Sequence, residues 1–173
     1  MRTILVPISM ILLTMSCGAA QNLPPESECN RGLKESDLVA GGWQGPGVQA
    51  DGGLPATDAV VSTTFLALEP DATTQALFRS LFAPIGTDLT TRDGLVAYQV
   101  FTSGRCMTAR TISVWKDQAS MYTFVGGTAH AAAVAKIGTL SRGGTAVTHW
   151  SARASDVTLD DSINRIGAVD APF

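Results

Sequence analysis

The chain has 173 residues, of which 45% are apolar and 16% charged, and its formal net charge is −3. That composition suits a single packed domain of ordinary size. It also argues against a nucleic-acid partner, because such affinity rests on clustered Lys and Arg, and here these are scattered.

In chain order, Met1 and Arg2 precede the apolar run "TILVPISMILLTM", which is too short for a permanent membrane span and reads as an export signal over residues 1–16. The run ends at "LTMSCG", which resembles the lipobox of bacterial lipoproteins, with Cys17 as the residue to be lipidated. The expectation is a membrane-anchored lipoprotein of the cell envelope; the alternative is an ordinary signal cleaved nearby, giving a periplasmic or secreted protein. Either way the chain leaves the cytoplasm. In an oxidising compartment Cys29 and Cys106 form an even pair, read either as a disulfide or as two separate thiols. A bond between them would staple the N-terminal segment to the domain, contributing about 4 kcal/mol in the chain-entropy model.

Residues 17–57 carry "LPPESE", "AGGWQGPG" and "ADGGLPATD", a Gly and Pro density that reads as a tether and irregular arm. Trp43 within it either folds back onto the domain or covers a cavity. The folded domain is expected over 58–167, with a tail at 168–173. "AVVSTTFLAL" is rich in β-branched residues and predicts a strand. Asp71 then caps a helix from about Ala72 to Ile85, whose Leu77, Phe78, Leu81, Phe82 and Ile85 form one apolar stripe. "GTDLTTRDG" reads as a loop. "LVAYQVF" alternates as a strand with Val96, Tyr98 and Val100 on one face, and "TSGR" closes a hairpin into "CMTARTISVW". On that third strand Thr111, Ser113 and Trp115 face one side, Ile112 and Val114 the other.

Asp117 caps a second helix with Met121, Phe124 and Val125 on one face, broken at Gly126-Gly127 and resumed from Thr128 to about Ile137. "GGTAVTHWSA" is the fourth strand, in which Ala146, Thr148 and Trp150 alternate with Val147 and His149. "TLDD" from Thr158 to Asp161 caps a last helix carrying Ile163 and Ile166. The order βαββαβ predicts an α+β, ferredoxin-like split βαβ fold with a four-stranded antiparallel sheet. Its second face, carrying either Ser62, Thr64 and Trp115 or the alternate set, is of a kind commonly buried by a partner chain.

"RTISVWKDQASMYTFVGGTAHAAAV", followed by "VTHW", resembles the dimeric α+β barrel superfamily, in particular its antibiotic-biosynthesis-monooxygenase-like (ABM) domains and the related spheroidene monooxygenase group. The shared pattern is a strand ending in S-x-W, a capped helix with Phe124, and then His130, within a stretch from Ala59 to Arg153. The resemblance implies a homodimer whose two four-stranded sheets face each other, and a cavity for a small apolar ligand. It also implies a range of activities: cofactor-independent monooxygenases, haem binders and degraders, and domains with no reaction. His130 stands where haem-degrading relatives place their proximal ligand, but the asparagine of their first strand is replaced by the Ser62, Thr63, Thr64 stretch.

Three readings of His130 stand at this point: a helix residue bonded to a backbone carbonyl or to solvent, a cavity group that contacts substrate or transfers a proton, or a haem ligand. Trp115, Tyr98, Trp150 and Phe124 are the expected walls of the pocket, with packing in the core or an interface as the alternative for both tryptophans. His149 reads as exposed. Two histidines, without HxH, CxxC or HExxH spacing, predict no dedicated metal site. The function expected is an exported, lipid-anchored monooxygenase-type enzyme without a bound cofactor; the alternative is a non-catalytic envelope lipoprotein that holds a hydrophobic ligand or haem.

Overall fold

A computed structural model describes residues 23–170; the expected export signal, Cys17 and the final residues 171–173 lie outside the described residues. The elements are β1 (Val39–Ala40), β2 (Asp58–Ala67), α1 (Ala72–Thr91), β3 (Leu95–Ser103), β4 (Thr108–Trp115), α2 (Gln118–Val125), α3 (Thr128–Val134), α4 (Ile137–Leu140), β5 (Ala146–Arg153), a 3-10 turn (Ala154–Asp156) and α5 (Leu159–Gly167). The strands form one antiparallel sheet in the order β1-β3-β4-β2-β5. With β4 between β2 and β3, and the helices as crossovers, β2 to β5 make the ferredoxin-like split βαβ. The sheet has five strands rather than four. The extra one, β1, pairs with the edge of β3 from within the Gly/Pro-rich arm, and at two residues it is too short to leave a periodic signal.

The side-chain caps expected from the sequence are present. Asp71 accepts from the Thr74 N–H, Asp117 from that of Ser120 and Thr158 from that of Asp161. Helix α1 departs from expectation: it continues through "GTDLTT" to Thr91 in spite of Pro84. Thr87, Thr90 and Thr91 turn their hydroxyls back onto carbonyls of the same helix, and Asp88 and Arg92 pair across its last turn. Leu89 is buried against Leu95, Tyr98 and Trp115, so tertiary packing overrides the weak local propensity. At the break between α2 and α3, a Cβ on Gly127 would lie 3.0 Å from the Phe124 carbonyl, a tight backbone contact, and 2.6 Å from the tip of the Arg92 side chain, which can move aside.

Strand register decides which residues share a face. Pairs such as Val61↔Val114 and Thr63↔Ile112 point one way, Ser62↔Ser113 and Thr64↔Thr111 the other. An irregularity between Leu95 and Ala97 shifts β3, so Tyr98 and Val100 keep the Trp115 face while Val96 joins the opposite one.

The first face holds the main apolar core: Val61, Ala97, Phe101, Ile112 and Val114, packed against Leu54 of the arm and Ala154 of the C-terminal segment. Leu38, Trp43 and Val48 of the arm, with Val157 and Leu159, pack over this core, so Trp43 folds back onto the domain. Phe65 and Ile166 extend the covering through α5. The resemblance assigns this face to the sheet of a second chain; here the chain's own two ends occupy it. The arm is fastened by a Cys29–Cys106 disulfide and by a buried ion pair of Arg110 with Glu35, their side chains 3% and 0% exposed. Arg110 also donates to the carbonyls of Asn30, Arg31 and Leu33, and its guanidinium lies 4.5 Å from the Phe65 ring centroid.

Candidate functional site

The second face, beneath α1 to α4, is not filled. Between sheet and helices lies a cavity of about 370 Å³, within the usual range for a small-molecule site. Its floor is the hydroxyl pairs Ser62/Ser113 and Thr64/Thr111 with Tyr98 and Val100, and its roof is Phe78, Leu81, Phe82 and Ile85 of α1. The α1 stripe that the sequence shows therefore covers the sheet at a distance, leaving its side chains only half-buried. Val134 and Val147, 53% and 49% exposed, stand in the lining and open it to solvent between α3 and β5. Among the described lining residues none is Asp, Glu, Lys or Arg; His130 is the one side chain there that titrates near neutral pH.

Four of the five expected site residues meet here: Trp115, Tyr98, Phe124 and His130. Trp115 is fully buried at the end of β4 and donates its indole N–H to Ser113 Oγ at 2.9 Å. Its ring packs on Phe124 with centroids 5.2 Å apart, and Phe124 meets the His130 ring edge-on at 5.0 Å. Trp150 is placed elsewhere. The period-2 alternation of β5 turns it to the arm-covered face, where the Arg165 guanidinium lies 4.6 Å from its ring centroid. His149 is exposed, as expected, and touches Tyr122 edge-on at 5.9 Å.

His130 lines the cavity and is bonded to a backbone carbonyl, as one of its sequence readings expects. Its Nδ1 lies 3.2 Å from the Val125 carbonyl, which can only accept, so the imidazole carries its proton on Nδ1 and keeps a lone pair on Nε2. Burial holds its pKa below the ordinary value, opposed by the Val125 carbonyl and the Asp88 charge, so the ring is neutral at pH 7. Burial raises the Tyr98 phenol, which stays protonated and donates to Gln44 Oε1 at 3.0 Å. Gln44 escaped the sequence reading because it lies 54 residues before Tyr98 in an arm with no periodicity.

The His130 donor set would suit an axial haem ligand, but the rest of the cavity does not suit haem. The described lining offers no Lys or Arg to balance two propionates, and the sheet floor meets a flat macrocycle with hydroxyls. Among the described residues, no group of three or more His, Cys, Asp or Glu is arranged to hold a metal ion.

No protein-family model matches the chain, and no curated protein matches it. Among solved structures it is similar to Rv0793 from Mycobacterium tuberculosis, at 18% identity and a TM-score of 0.48, covering 59% of this chain and 100% of that one. It is also similar to a candidate antibiotic biosynthesis monooxygenase from Caulobacter crescentus, at 14% identity and a TM-score of 0.47, covering 60% of this chain and 93% of that one. A third is a point mutant of SnoaB, a cofactor-independent oxygenase from Streptomyces nogalater, at 19% identity and a TM-score of 0.44, covering 60% and 98%. At this level the likeness bears on neither activity nor substrate, and the α+β, ferredoxin-like assignment stands on strand order and crossovers.

Proposed function

We propose that this chain binds one small, neutral, apolar molecule between its sheet and helices, and that His130 Nε2 accepts a proton from it in a cofactor-independent monooxygenase-type reaction. The observation that carries the reading is the cavity itself: about 370 Å³ of space lined by aromatic and aliphatic groups, without an acidic or basic chain among its described residues, beside a neutral imidazole with a free lone pair. An interior filled by its own tryptophans and phenylalanines would have favoured a purely structural role.

In such a reaction a CH₂ group of the substrate becomes C=O. Dioxygen supplies that oxygen atom, its other atom leaves as water with the two hydrogens, and the substrate itself provides the electrons. His130 takes the first proton, and the low-polarity walls keep the resulting anion from bulk water. The non-catalytic alternative keeps the cavity and dispenses with His130.

The test uses 2-naphthol as a binding probe and dioxygen consumption as the activity readout for substrates found by screening neutral aromatic compounds. Thr64→Phe, which fills the floor, should abolish binding. His130→Gln should bind within about two-fold of the original chain and lose turnover by about 100-fold, the usual worth of a positioned proton acceptor. Retained turnover in His130→Gln would remove His130 from the chemistry, and unchanged binding in Thr64→Phe would remove the cavity from the function. Hemin added to the chain should give no Soret shift that depends on His130; such a shift would reinstate haem.

The same proposal places the protein outside the cytoplasm, anchored through Cys17. The Cys29–Cys106 disulfide supports an oxidising compartment. A homodimer remains part of it with one change: the second copy does not take the sheet face that the arm and α5 cover.

A further inference from the structure

The arm is joined to the ligand site as well as to the opposite core. After β1 it runs along the free edge of β3, where the Gly41 N–H donates to the Val100 carbonyl at 2.9 Å and that of Gly47 to Val96 at 2.8 Å. Between these, Gln44 and Tyr98 exchange both main-chain bonds, at 2.9 and 2.7 Å. The approach is close: a Cβ on Gly45, whose φ is +133°, would lie 2.8 Å from the Ala97 Cα, and one on Gly47 2.6 Å from the Val96 Cγ1. The "QGPG" segment is thus held at a fixed height on β3. From it the Gln44 side chain reaches the Tyr98 hydroxyl at 3.0 Å.

A protonated phenol has one hydrogen to give and keeps lone pairs to accept with. Tyr98 is 8% exposed and forms part of the cavity wall, and its one hydrogen is committed to Gln44 Oε1. We infer that Gln44 is a positioning residue of the ligand site: by taking the Tyr98 proton it makes Tyr98 meet a ligand as a hydrogen-bond acceptor, so that the site favours ligands bearing a hydroxyl or N–H donor. The inference rests on the cavity reading above. It gives the arm, which otherwise reads as tether and cover, a part in specificity.

The experiment compares two probes in the full chain: 2-naphthol, which donates, and 2-methoxynaphthalene, which only accepts. The original chain should prefer the donor by about five-fold, the worth of one neutral hydrogen bond. Gln44→Ala frees the Tyr98 proton and should bring the ratio close to unity by strengthening the methoxy probe. Gln44→Glu keeps an acceptor at the same reach and should retain the preference, which a merely structural loss would not.

The chain has two tyrosines, so a Tyr122→Phe background leaves Tyr98 as the only phenol to titrate by its phenolate absorbance. Its titration should move to lower pH in Gln44→Ala and to higher pH in Gln44→Glu, beside a new negative charge. An unchanged probe ratio in Gln44→Ala, or in Tyr98→Phe, would overturn the inference. If neither probe binds the original chain, the cavity reading fails and this one with it. The titration separates the causes, since an unmoved Tyr98 sinks the Gln44 link whatever the cavity binds.

Discussion

The two faces of the sheet are built from the same five strands and solve opposite problems. On the arm side Val61, Ile112, Val114 and Phe101 are sealed by the chain's own ends, and a buried Arg110–Glu35 pair with a disulfide fixes the seal. On the helix side the strands present Ser62, Thr64, Thr111 and Ser113 to an open space, and the helices stand off from them. The arm side is closed, whereas the helix side, with buried clusters of its own around Trp115 and Leu140, keeps a cavity whose α1 roof is incompletely buried. A lining that gives up burial in this way is expected of a binding site, because the contacts missing from the free protein are the ones a ligand can make.

The sharpest way to break this contrast is at the seal. Arg110→Ala strands the Glu35 carboxylate without its partner at 0% exposure and leaves three arm carbonyls short of a donor. The expected loss is about 4 kcal/mol, at the level reported for breaking one side of a buried ion pair. Denaturant unfolding measures it, and a loss under about 1 kcal/mol would mean that the arm is held by its apolar contacts and disulfide alone.

A second comparison pits one phenylalanine from each side. Phe65, 2% exposed in the sealed core, should cost about 3 kcal/mol or more on substitution by Ala. Phe82 already faces the cavity half-buried, and its removal enlarges a space that exists, so Phe82→Ala should cost about 1 kcal/mol while weakening binding of the neutral probe. Equal costs would mean that the cavity closes up in solution.

Much of this contrast is legible in the sequence. Alternation on β4 and β5 assigns Thr111, Ser113 and Trp115 against Ile112 and Val114, and sets Val147 and His149 apart from Trp150. The Asp71, Asp117 and Thr158 caps mark the starts of α1, α2 and α5. Alternation alone cannot tell which face meets the helices, however, which is why the sequence alone groups Trp150 with the cavity residues. Nor does a pattern reveal a bulge, so Val96 lands on the face opposite to that of Tyr98. The arm was the least legible part. Its order comes from contacts at great sequence distance, such as Glu35 with Arg110 and Gln44 with Tyr98, and no local propensity encodes those.

The smallest effect expected is also the one that probes the cavity side most directly. Burial holds the His130 pKa in the folded chain below its unfolded value near 6.5, with Val125 and Asp88 only partly offsetting it. Below that unfolded value the unfolded chain takes up a proton more readily than the folded one does. Stability is therefore fully present above about pH 6.5 and falls as the pH drops through that value toward the folded pKa, where the loss levels off. The chain should lose a little more stability than His130→Gln does as the pH falls below about 6.5, with the difference levelling off below the folded pKa. A bound neutral ligand excludes water from the imidazole and penalises its charged form further, so the difference should widen in the presence of 2-naphthol. Equal slopes with and without the probe would show that the ligand does not reach His130, and would leave the cavity as a binding site with no proton acceptor in it.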